Sequence, residues 1–126
     1  MTHRFCILLH DHPYWHWDFL LEHGDRAQSW RLLRQPCVDE PIAAEPLAPH
    51  RLLYLDYEGP VSNDRGTVKR IGLGTFQIIA TEPVFVIQLD GLTWANQASL
   101  HDTGNRAFWQ FHLMPQASPR GVSRHD

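Results

Sequence analysis

Between residues 15 and 22 the chain alternates. Trp15, Trp17, Phe19 and Leu21 fall on one side, and His16, Asp18, Leu20 and Glu22 on the other. A period of two marks a β-strand with two distinct faces. Residues 4–9 (RFCILL) are short, mostly apolar and rich in β-formers, which predicts a buried strand ended by Asp11, His12 and Pro13. His23-Gly24-Asp25 supplies a hairpin turn, and residues 29–33 (SWRLL) the returning strand. Residues 35–49 carry four prolines and little periodicity, so they read as a loop with one short helix near residues 42–45. Strand-like runs resume at residues 51–57, 67–71, 75–80, 84–89 and 107–113.

About seven short strands separated by Gly, Pro and Asn turns predict a mainly β chain. The expected architecture is a single-domain antiparallel β-barrel with little helix, spanning residues 1–114. The segment 115–126 lacks apolar anchors and is expected to form a flexible tail. At 126 residues one core is large enough to fold without staples.

Composition narrows the function classes. No run approaches the roughly 20 apolar residues of a membrane helix, and the N-terminus has too short an apolar stretch for a signal peptide. We therefore expect a cytoplasmic protein with no membrane partner. Cys6 and Cys37 have no CxxC spacing and read as free thiols. A net charge of −3 argues against a protein that coats nucleic acid non-specifically, although contact with a strand end remains open. Ten of the eleven basic residues are Arg, the side chain suited to bidentate phosphate recognition.

The nine histidines add chemistry. His10, His16 and Asp18 form a His-x5-His-x-Asp cluster at the junction of the first two strands. Two imidazoles and a carboxylate are a fitting ligand set for a borderline divalent ion such as Mn2+ or Zn2+. His16 and Asp18, two apart on a strand, point to one side, expected to be the barrel interior or mouth. The bland alternative is a pair of loop histidines, His10 and His12, beside a hydrogen-bonded interior His16. His50 and Tyr54, four apart, share a face in strand or helix and pair a titratable imidazole with a phenol.

In order along the chain, His10 with HWDFLLE (16–22), SWRLLR (29–34) and HRLLYLDYEG (50–59) carry a resemblance. The sequence resembles the 3′-phosphoesterase domain of bacterial DNA ligase D. The match thins to Gly74–Phe76, FVIQLDG (85–91) and FWQFHL (108–113). The resemblance implies a barrel that binds Mn2+ through His10, His16 and Asp18 and trims DNA 3′ ends, removing a terminal phosphate or ribonucleotide. It assigns catalytic roles to His50, Tyr54 and the ligand His16, with His50 protonating the leaving oxygen and Tyr54 donating to a phosphate oxygen. Arg34 stands at the family's Lys position and is read as a substrate contact; Arg31 is read as another, and His12 as a substrate contact or a spare metal ligand. DNA or RNA–DNA 3′ ends are the implied partners, with a repair ligase or polymerase alongside.

There are departures. The family's Arg two residues after the ligand Asp is Leu20 here, and another falls near Ile42. The Gly-rich segment is shortened to PVSNDRGTV, and the polar extension that precedes the family's barrel is expected to be absent. Arg31, Arg51 or the group Arg65, Lys69 and Arg70 would have to supply the lost charge. A second reading is therefore a catalytically weak barrel that binds nucleic-acid ends or a repair partner. A third is a cupin-like metallo-barrel, against which the order of the later blocks argues.

Overall fold

The structure, a computed structural model, describes residues 2–116. Nine strands form one sheet: β1 (His3–His10), β2 (His16–His23), β3 (Arg26–Leu32), β4 (Ile42–Arg51), β5 (Gly59–Pro60), β6 (Thr67–Ala80), β7 (Phe85–Asp90), β8 (Gln97–Asp102) and β9 (Ala107–His112). Their order is β1-β2-β3-β4-β9-β8-β7-β6-β5, and β1 also pairs with β6. That pairing closes eight antiparallel strands into a barrel, with the two-residue β5 added at the margin of β6. The barrel expected from the strand pattern is the one observed. The expected tail lies, from residue 117 onward, outside the described residues.

All eight strands of the ring send side chains into one core. Phe5, Ile7, Phe19, Leu21, Trp30, Leu32, Ile42, Phe76, Ile87, Leu89, Ala98, Trp109 and Phe111 are buried there. This set is the barrel interior. Cys6, Leu8, Leu20, Ala27, Leu55 and Val68 form a second buried cluster, drawn from the opposite faces of β1, β2 and β3, from β6 and from the segment after β4. It lies outside the wall, and a 3-10 turn at Leu52–Leu55 covers it.

Four local expectations change. The segment read as a loop with a short helix near residues 42–45 is strand β4, because Ile42 and Ala44 alternate into the core. Pro46 and Pro49 are tolerated because β4 pairs with β9 only over Ile42–Ala44, which leaves one edge open beyond. The strand expected at residues 51–57 is instead the 3-10 turn, since three-residue spacing sets Leu52 and Leu55 against the outer cluster. The runs at 67–71 and 75–80 are one long strand, β6. At Gly74 a Cβ would collide with the Asp90 backbone carbonyl, so glycine permits the close approach of β7. Strand β8 carries too polar a sequence (QASLHD) to register as a strand in advance.

Candidate metal centre

The β1–β2 hairpin builds the cluster by itself. Its register pairs His10 with His16 and Leu8 with Asp18, so the two histidines face each other at the loop end. His16 and Asp18 share the face of Leu20, which lies in the outer cluster. The ligands thus occupy the outside of the barrel wall, not the interior or mouth anticipated from the alternation. Alternation reveals two faces but does not say which one curls inward when both are covered.

His10 Nδ1 lies 3.2 Å from Asp18 Oδ2, and His16 Nε2 lies 3.0 Å from Asp18 Oδ1. One ligand atom from each residue falls within 4.8 Å of the others. The remaining ring nitrogens face backbone carbonyls. His10 Nε2 is 2.8 Å from the Arg65 oxygen, and His16 Nδ1 is 2.9 Å from the Tyr14 oxygen. A carbonyl only accepts, so each of those nitrogens must carry the proton. In the neutral imidazoles the other nitrogen then holds a lone pair, and both lone pairs turn toward the Asp18 carboxylate.

Three acceptors converging in a buried place are costly unless a proton or a cation joins them. Asp18 Oδ1 is buried and, among the described residues, makes no hydrogen bond, its one close polar neighbour being the His16 ring nitrogen. Metal bonds of about 2.1 Å set neighbouring ligands about 3.0–3.4 Å apart, as found here for both imidazole–carboxylate pairs. Carbonyls that hold the outer nitrogens of ligating histidines are the usual second support of such a site. The residues fit a divalent ion.

Without an ion, protons do that work. Burial opposes ionisation of Asp18, yet the hydrogen bond from His10 and the adjacent His16 ring prevail and hold its carboxyl down at about 2. The hydrogen bond to Asp18 pushes the His10 imidazole above its usual range against the effect of burial. Burial pulls His50 below its usual range. Burial also pushes the nearby Cys6 thiol up to about 12, which leaves it an inert core group.

Beside the cluster opens a cleft of about 440 Å³, lined by His10, His12, His16, Asp18, Arg31, His50, Arg51, Tyr54, Ser62 and Arg65 among others. The sequence-predicted residues His50 and Tyr54 meet there, their rings edge to face with centroids 5.7 Å apart. His12 and Arg31 also line the cleft. Arg34 does not: it pairs with Glu40 at 2.8 Å and donates to the Pro41 carbonyl. Of the Arg65, Lys69 and Arg70 group, Arg65 alone reaches the cleft lining. Its guanidinium is tied to Ser62, while its carbonyl holds His10.

Sequence reasoning missed Tyr14 and the backbone of Arg65. Both act on the ligands through carbonyl oxygens, which no residue type advertises. The one available signal was Asp11, whose carboxylate accepts from the Thr67 amide at 2.7 Å and draws the 61–66 loop onto the hairpin.

Two likenesses to known proteins bear on the family of this chain. The family model described as the DNA ligase D 3′-phosphoesterase domain matches residues 9–115. The chain is also 35% identical over 60 residues to the multifunctional non-homologous end joining protein LigD of Pseudomonas aeruginosa. That alignment covers 46% of this chain and 7% of the relative, so the chain spans a small part of that protein's length. The matched region contains the hairpin ligands, the cleft residues named above and strands β2–β9, but of β1 only Leu9 and His10. By that match, the chain belongs to the DNA ligase D 3′-phosphoesterase domain family.

Proposed function

We propose that this domain is a divalent-metal-dependent phosphoesterase that processes the 3′ ends of DNA, removing a terminal phosphate or ribonucleotide. The observation that carries the reading is the convergence of two imidazole lone pairs and an unpartnered carboxylate oxygen on one buried point. Mixed nitrogen and oxygen donors suit Mn2+ or Zn2+, and of the two the family resemblance favours Mn2+. His10, His16 and Asp18 would hold the ion. When bound, it supplies positive charge that polarises a phosphoryl oxygen.

The chain's other residues supply the rest. Apart from Asp18, the named cleft residues bring imidazoles, guanidinium groups and hydroxyls, within a protein of net charge −3. Such a cleft draws an anion to one place without coating nucleic acid. Tyr54 offers a phenolic donor to a phosphate oxygen. His50, kept neutral by burial, is suited to take a proton from an attacking water or to donate N–H to developing charge. The general-acid role implied by the resemblance needs an imidazolium, and burial works against that form. His12 stands at the rim as a further substrate contact, and a repair ligase or polymerase, which uses a 3′-hydroxyl, is the partner this reading implies.

The test is release of phosphate from a 3′-phosphorylated oligonucleotide with Mn2+ and after chelation. Turnover only with metal is expected. Equal hydrolysis after chelation would refute the reading. Binding of the strand end without metal-stimulated turnover would assign a binding barrel instead.

A further inference from the structure

Arg31 lies on β3 directly opposite Asp18 of β2, on the same outer face as the metal cluster. Its guanidinium is held from one side. Nη1 donates to the Tyr14 hydroxyl at 3.2 Å and lies 3.8 Å from Glu45, and the group stacks over the Tyr14 ring at 5.4 Å. Nε, by contrast, is buried with no hydrogen-bond partner, and Nη2 has none among the described residues. The Nε–Nη2 edge is the fork that matches two oxygens of one phosphate. A guanidinium already anchored through Nη1 presents that fork with little rotamer freedom left to lose. An orphaned charged donor lining a cleft beside a metal centre is a ligand site in waiting.

We infer that Arg31 is the specificity clamp of this cleft and reads a terminal phosphomonoester, its Nε–Nη2 edge gripping two unesterified oxygens while Tyr14 positions it. The inference rests on the phosphoesterase reading for its substrate class. The preference for a monoester follows from counting oxygens. A diester has two unesterified oxygens, so giving one to the metal centre leaves one for the fork. A monoester has three, enough for both. Tyr14 is a positioning residue with two duties: its hydroxyl braces Arg31 and its carbonyl orients His16. Clamp and metal ligand are therefore set by the same loop residue.

The experiment is calorimetric titration of metal-free and Mn2+-loaded protein with methyl phosphate and dimethyl phosphate, each variant first checked for an unchanged melting temperature and metal content. Arg31→Ala and Arg31→Lys should each weaken methyl phosphate at least about tenfold, the scale of a lost charge-assisted pair. In the Mn2+-loaded protein dimethyl phosphate should weaken much less, whereas without metal both of its unesterified oxygens can reach the fork and the two losses should be alike. Tyr14→Phe, which keeps the ring and the carbonyl, should lose an intermediate factor with metal affinity intact. Free guanidinium should restore part of the Arg31→Ala loss. Wild-type binding in Arg31→Lys, equal losses for both esters in the Mn2+-loaded protein, or no methyl phosphate binding by the wild type would each overturn the inference. If the clamp passes but no phosphoester is turned over, the phosphoesterase reading fails and the anion site stands. If turnover depends on metal but is indifferent to Arg31, the phosphoesterase reading stands and the clamp fails.

Discussion

Leu20→Arg puts the family's arginine at the position where this chain has leucine, and it should unfold the outer cluster rather than improve the site. Leu20 is fully buried among Cys6, Leu8, Ala27, Leu55 and Val68. Removing a fully buried leucine forfeits about 1.5–3 kcal/mol of apolar transfer. An uncompensated guanidinium in that space adds several kcal/mol of desolvation, less whatever it recovers by reaching toward Asp18. A net loss of about 4 kcal/mol is a large share of the roughly 5–15 kcal/mol that holds a domain of this size. At about 3 °C per kcal/mol, the melting temperature should fall by about 12 °C. Thermal unfolding followed by tryptophan fluorescence, with Leu20→Met as a volume control, measures it. An arginine variant that melts within about 2 °C of the wild type and gains turnover would refute the reasoning. It would mean that the outer cluster is an open part of the substrate site.

Further outcomes concern the metal centre. His16→Ala and Asp18→Ala should each lose bound Mn2+ in equilibrium dialysis and lose turnover with it, while Arg34→Ala, away from the cleft, should change neither by more than about twofold. In chelated protein, the carboxyl of Asp18 held at about 2 against 3.8 contributes about 2 kcal/mol of stability, complete above about 3.8 and lost as pH falls through about 2. His10, raised when folded, contributes stability present below 6.5 and lost as pH rises through its folded value, so urea midpoints should decline at both ends. A midpoint flat between pH 2 and 4 would contradict the Asp18 arrangement. Gly66→Ala drives a Cβ into the Asp11 carboxylate and His12 at a positive φ of 78°. It should displace the Arg65 carbonyl from His10 and weaken Mn2+ by about tenfold with the fold retained, which calorimetry and circular dichroism separate.

The hairpin explains why the metal ligands were legible in the sequence. His10, His16 and Asp18 sit on two adjacent strands joined by a short loop, so local register alone brings them together. His50 and Tyr54 were legible as a pair for the same reason, although a strand end and a 3-10 turn carry them instead of one strand. Polar β8 and proline-rich β4 were illegible, because their pairing is decided by the strands beside them and not by their own pattern.

By itself, then, the sequence determined the alternating strands, the ligand triad and the family to which they belong. Tertiary structure alone decided on which side of the wall the triad stands, since both faces of β1 and β2 carry buried residues. It also decided what surrounds the ligands. The Arg65 carbonyl that orients His10 comes from 55 residues away, and Arg31 becomes a half-satisfied fork only once β3 lies against β2 and Tyr14. These are contacts of backbone oxygens and of free edges, which exist only when distant segments meet.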